Sequence, residues 1–191
     1  HVCPLFQIFS FFCSLFFVFR KADIETIRES VLKINVYDEN IRFIPFIVPH
    51  DATETVGYYI EFNRVKFTFI TDAGNITDDI VKYSSMCNAL IIESNYDLDM
   101  LLGGGYTPEL KLRITKGNGH LSNEQTASAI KRFYHKGLKH IFLCHLSENN
   151  NTPDVAMACI TKALRSINVT AGKDVKLSCL PRRSTSELYT F

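Results

Sequence analysis

VKFTFITDAGNIT, residues 65–77, is the stretch from which the rest of the chain can be read. Val65, Phe67, Phe69 and Ile70 make a short apolar run rich in aromatic and branched residues, and it stops at Asp72 just before the turn-forming Gly74-Asn75. Runs of this composition bounded by Gly and Asn read as strands. Two other runs end in the same way: RFIPFIVP (42–49) in His50 and KHIFLC (139–144) in His145. In layered α/β proteins, sites form beyond the carboxyl ends of strands, so three such endings predict one shared site. Imidazole nitrogen and carboxylate oxygen are the donors a Zn- or Mn-type ion takes. Singly, a loop histidine is usually a polar surface residue and an aspartate before a Gly turn is usually a cap. Their shared position at strand ends is what points to a metal.

Working outward, strands are expected near 41–48, 56–62 and 65–71, with Asn63-Arg64 as a tight hairpin connection and Gly57 allowing close backbone approach. ITDDIVKYSSM (76–86) reads as a helix, NALIIES (88–94) as a buried strand and YDLDMLL (96–102) as a short helix stopped by Gly103–Gly105. TPELKLRIT (107–115) is a helix with Pro108 in its first turn. SNEQTASAIKRFYHKG (122–137) is another, capped by Ser122 and ended at Gly137. KHIFLCH is a strand, TPDVAMACITKALRSI (152–167) a helix and DVKLSCL (174–180) a last strand. Nearer the beginning, DIETIRESVLKI (23–34) reads as a short helix with early acidic residues. Alternating strands and helices specify an α/β fold, a sheet covered by helices.

With 191 residues, 46% hydrophobic content and a net charge of +1, residues 22–191 are expected to form one globular domain. Balanced charge argues against wholesale wrapping of nucleic acid and leaves room for a local basic patch. The six cysteines (3, 13, 87, 144, 159, 179) include no CxxC pair, and the last four lie inside apolar patterns. Buried reduced thiols, and so a reducing, cytoplasmic setting, are the expectation.

Residues 1–21 differ from the rest. HVCPLFQIFSFFCSLFFVFR is nearly uncharged and rich in Phe. It has the length of a membrane span but neither helical nor strand periodicity. It lacks the Met, basic start and small-residue cleavage site of a signal peptide. The two readings are an altered remnant and an anchor; contact with a membrane depends on the second.

Two further residues belong with the strand-end set. His120 lies in GNGHLSNEQ, two positions before the helix cap, where free backbone amides attract phosphate. Glu93 ends the strand NALIIES, a place from which a carboxylate holds an imidazole in one tautomer. A histidine with a supporting carboxylate is a common general acid. Ser122 and Asn123, beside His120, are candidate substrate contacts. Lys111, Arg113, Lys116, Arg182 and Arg183 are candidate phosphate contacts, although a solvated helix face is the commoner role for the first three.

VPHDATETVGY, FITDAGNIT, LIIESNYDLDML, GHLSNEQTA and LCHLSENNNTP occur in this order and resemble motifs of the metallo-β-lactamase fold, specifically its YycJ-type (WalJ-like) hydrolases. The resemblance covers residues 22–191 and implies the C-terminal portion of an αββα sandwich with a binuclear site of two divalent ions, Zn or Mn, at the sheet edge. It implies His50, Asp72 and His145 as ligands, with Asp72 bridging and also catalytic. GHLSNEQTA followed by a helix and LCHLS also resembles the tRNase Z arrangement, which implies His120 as general acid and Glu93 as its partner. A phosphodiester of nucleic acid is the substrate this implies. The family's HxHxDH ligand loop does not occur in these residues, so the fold is expected to be incomplete at its N-terminal half and metal chemistry impaired. His1 is a poor stand-in for that loop's last histidine. The rival expectation is a non-catalytic fragment or pseudoenzyme serving as a binding module.

Overall fold

The computed structural model describes residues 32–36, 39–52, 55–62, 64–187 and 189, with side chains from residue 42 onward. The apolar head and the greater part of the expected helix over 23–34 lie outside the described residues. The described residues belong to one compact unit, Val31–Phe191.

Seven strands form one sheet in chain order: β1 (Leu32–Val36), β2 (Glu39–Ile47), β3 (Val56–Phe62), β4 (Val65–Ile70), β5 (Ala89–Glu93), β6 (His140–Cys144) and β7 (Lys176–Cys179). β1 to β4 pair antiparallel, and β4 to β7 pair parallel. The parallel half is joined through helices α1 (Asp78–Ser84), α2 (Leu98–Gly103), α3 (Pro108–Thr115), α4 (Asn123–Phe133) and α5 (Pro153–Ser166), as parallel pairing requires. These residues supply one sheet and its helical layer of the expected sandwich.

Each helix starts where its sequence offers a side-chain acceptor to a free amide. Thr77, Asp97, Thr107, Ser122 and Thr152 are the N-caps, and Pro108 and Pro153 occupy first-turn positions where no donor is lost. The core lies between the sheet and α1, α4 and α5. Phe46, Tyr59, Ile70, Leu90, Ile92, Ile141 and Leu143 from the strands meet Ile80, Ile130, Phe133, Ile160 and Leu164 from the helices, all buried. On Gly57, opposite Phe46 in the register, a Cβ would stand 2.6 Å from the Phe46 ring, so the ring occupies the space that glycine leaves.

Two expected elements are corrected. Leu32, Lys33 and Ile34 are not the end of a helix but part of β1, paired with Phe43, Arg42 and Ile41. Leu32, Ile34 and Val36 alternate with a period of two, and pairing to β2 overrides the local helical pattern. α4 ends at Phe133 rather than at Gly137, because Tyr134 turns extended (ψ 135) and packs back on the core.

Candidate metal centre

Strand direction explains why distant residues meet. β2 and β4 both pair antiparallel with β3, so they run the same way, and β5 and β6 follow β4 in parallel. The carboxyl ends of β2, β4, β5 and β6 therefore open on one edge of the sheet. His50 follows β2, Asp72 follows β4, Glu93 ends β5 and His145 follows β6. Asp72 and His145 leave their strands in the left-handed region, with φ of 53 and 55. For residues other than Gly this costs roughly 1–2 kcal/mol each, and it persists where surrounding bonds enforce it. Here Asp72 N donates to Glu93 Oε2 at 2.8 Å, and Asn95 Nδ2 donates to the His145 carbonyl at 2.7 Å.

Glu93 is the hub. It has no exposed surface, and its two oxygens accept from four donors: Leu121 N at 2.8 Å and His120 Nδ1 at 3.2 Å on Oε1, Asp72 N at 2.8 Å and His145 Nδ1 at 2.8 Å on Oε2. A carboxylate is only an acceptor, so both imidazoles donate through Nδ1 and keep Nε2 for other work. Burial alone would raise the Glu93 pKa; hydrogen bonds from His120 and His145 outweigh it and hold the carboxyl below its ordinary range. The bond to Glu93 in turn raises the pKa of His145.

His50 is oriented from the other side. Its Nδ1 donates to the Gly119 carbonyl at 2.8 Å, which leaves Nε2 3.8 Å from Asp72 Oδ1 and 3.5 Å from Asp51 Oδ1. The His50 and His145 rings flank that of His120, with centroids 4.9 and 5.1 Å away. Donor atoms of Asp72, Glu93, His120 and His145 lie within 4.8 Å of one another. The free Nε2 atoms of His50 and His145 and the carboxylate of Asp72 are the neutral-nitrogen and oxygen donors that a borderline divalent ion takes, so the residues fit one. Access differs within the cluster. The side chains of His145 and Asp72 are 43% and 36% exposed, whereas that of Glu93 is sealed.

The candidate substrate contacts Ser122 and Asn123 are both buried. Ser122 caps α4: its hydroxyl accepts from Gln125 N, its amide donates to the Gln125 side chain, and it is 6% exposed. Asn123 has no exposed surface; its carbonyl oxygen accepts from Ser94 Oγ at 2.6 Å and from Asn151 Nδ2 at 2.9 Å. Both side chains are hydrogen-bonded within the protein. They belong to a buried polar knot in which Asn151 also donates to the Ser94 carbonyl and Thr126 Oγ1 to the Glu93 carbonyl. Sequence reasoning passed over Ser94, Asn95 and Asn151. The run Asn149-Asn150-Asn151 before a capped, proline-led helix was the available signal.

Of the candidate phosphate contacts, two stand next to the site. Arg113 pairs with Asp51, the neighbour of His50, and Arg182 donates to the carbonyl of Leu146, the neighbour of His145. Lys111 donates to the Leu102 carbonyl at 2.7 Å, and Arg183 pairs with Glu148 at 3.0 Å. Lys116 is exposed. Cys87, Cys144, Cys159 and Cys179 are free thiols, and burial pushes Cys87 up to about 12. No helix among the described residues is long and apolar enough to cross a membrane. His1 lies outside the described residues.

Residues 18–145 match the family described as the beta-lactamase superfamily domain. The chain belongs to the metallo-β-lactamase superfamily. It is 33% identical over 148 residues to exodeoxyribonuclease YycJ of Bacillus anthracis, covering 78% of this chain and 52% of that protein. It is also 33% identical over 132 residues to exodeoxyribonuclease WalJ of Streptococcus pneumoniae serotype 2 (strain D39), covering 69% and 49%. The chain thus spans about half the length of the curated relatives it matches. Among solved structures, the metallo-β-lactamase fold protein YhfI of Bacillus subtilis is similar with a TM-score of 0.49 and 16% identity, covering 78% of this chain and 48% of that one. Membership of the superfamily implies divalent metal ions, and the cluster at the sheet edge is a group able to hold one.

Proposed function

We propose that this chain is a metal-dependent phosphodiesterase acting on nucleic acid. One observation carries the reading: a sealed carboxylate, Glu93, locks two imidazoles by Nδ1 beside a strand-end aspartate. That arrangement fixes ring direction and tautomer together, which metal ligands and proton donors need and a structural cluster does not. The names of the two exodeoxyribonucleases support the substrate class.

Asp72, His50 and His145 would hold divalent ions of Zn or Mn type. Bound, these ions supply an activated water and neutralise charge on the phosphodiester. Asp72 and His145 present their donors at the exposed side of the cluster, where a substrate enters. Glu93 holds His120 by Nδ1, so Nε2 is the nitrogen that delivers a proton to the leaving oxygen. Arg113 and Arg182 stand on opposite flanks, next to the neighbours of His50 and His145.

Elemental analysis of the purified chain beside Asp72→Ala tests this, followed by hydrolysis of single- and double-stranded DNA with and without chelator. Uptake of Zn or Mn that is lost in the variant, and chelator-sensitive hydrolysis, are expected. A folded chain that takes up no metal and cleaves no DNA overturns the reading.

A further inference from the structure

α3 buries no side chain, and its Leu112 is 55% exposed. Leu110 and Ile114 are only half-buried, so apolar packing holds the helix weakly and polar ties add to it. From the middle of the helix Lys111 Nζ donates to the Leu102 carbonyl at 2.7 Å. In its last turn Arg113 Nε donates to Asp51 Oδ2, joining residues 62 apart in sequence. The chain leaving α3 runs straight into the site. His120 N donates to the Ile114 carbonyl at 3.0 Å, and the Gly119 carbonyl accepts from His50 Nδ1. Beside it, a Cβ on Gly74 would stand 2.5 Å from Asn118 Cα, so this segment is wedged against the loop that follows Asp72.

We propose that Arg113 is a positioning residue: by gripping Asp51 it clamps α3 to the loop that bears His50, and so keeps His50 and His120 in register. Asp51 serves as the coupling piece. One oxygen meets Arg113, and the other lies 3.5 Å from His50 Nε2. Without the guanidinium, Asp51 is released, α3 loses its anchor at the site end, and the segment that carries Gly119 and His120 opens more often. The Arg113 side chain is 68% exposed, so the pair adds little to global stability. Its effect is local, in how often one segment opens. The clamp rests on the reading of the site as catalytic only for its kinetic readout.

Hydrogen–deuterium exchange on the full chain tests the clamp directly, using Arg113→Ala, Asp51→Ala and the charge swap Arg113→Asp with Asp51→Arg. Amides of residues 117–121 are expected to exchange up to about fivefold faster in either single variant. The swap restores protection, and α4 stays unchanged throughout. On DNA, the single variants lower kcat with little change in KM, and the swap recovers part of the loss. If Arg113→Ala raises KM alone while Asp51→Ala leaves kinetics and exchange untouched, Arg113 is a phosphate contact and the clamp is overturned. Unchanged exchange in both single variants overturns it as well. Exchange decides the matter even if the chain cleaves no DNA, which separates failure of the clamp from failure of the proposed activity.

Discussion

At Glu93 a carboxylate with no exposed surface survives because four donors converge on it. Two of them are imidazoles, which gives the metal-free chain a definite pH profile. The Glu93 pKa lies below its ordinary 4.5, so its stabilising contribution is present above pH 4.5 and is lost as pH falls through the lowered value. The His145 pKa lies above its ordinary 6.5, so its contribution is full below pH 6.5 and is lost as pH rises through the raised value. With chelator present, the melting temperature is expected to be highest between pH 4.5 and 6.5, and Glu93→Gln should flatten both flanks of the curve. The same substitution leaves one acceptor oxygen where there were two, so one ring loses its partner, and metal affinity is expected to fall about 10–100-fold in a calorimetric titration. The pairing of Glu93 with His120 was implied by the resemblance of GHLSNEQTA to the tRNase Z arrangement, and the two side chains do meet. The bond of Glu93 to His145 was not legible. That contact depends on β5 lying beside β6 with Glu93 level with Cys144, and no local pattern encodes this register.

Elements bring these parts together through their ends more than their middles. The polar residues opening α4 look available from sequence, since helix starts are usually solvated. Instead the start of α4 is buried against Ser94 and Asn151, and Asn123 ties the helix to both. Asn123→Ala leaves partners unsatisfied in the interior and is expected to cost about 1–3 kcal/mol of stability, read by thermal melts, without raising KM for DNA. A rise in KM would return Asn123 to the substrate. Gly119 makes a sharper case, since a Cβ there would lie 2.1 Å from the Ile114 carbonyl oxygen, a backbone atom that cannot swing aside. Gly119→Ala is expected to cost roughly 1–3 kcal/mol and to break the bond to His50, seen as a shifted Nδ1 proton resonance. The strand-and-helix sequence from β2 onward was legible because its apolar runs and caps agree. β1 was misread because five residues of alternating pattern carry less local information than the acidic stretch preceding them.

Across the whole unit Val31–Phe191, the site and the fold share one set of contacts, so ion binding and stability are linked. Excess Zn at a hundredfold over its dissociation constant adds about 2.7 kcal/mol, or roughly 5–10 °C for a unit of this size. Scanning calorimetry should show that shift in the parent chain and lose it in Asp72→Ala. The α/β class was readable because strands and helices alternate along the chain; the single edge on which four strand ends open follows from directions that only pairing reveals.

Because the seven strands lie side by side in the order they are synthesised, each can dock on its predecessor without waiting for a later one. During synthesis the antiparallel half, closed by short connections, has its partners first, and each parallel strand is added after one crossover. Glu93 therefore emerges well before His120 and His145, and its carboxylate begins as an ordinary solvated acid. It becomes sealed only after residue 145 has left the ribosome. A nascent chain arrested between β5 and β6 should then hold a folded sheet edge that takes up no metal, while one arrested beyond α5 should take it up.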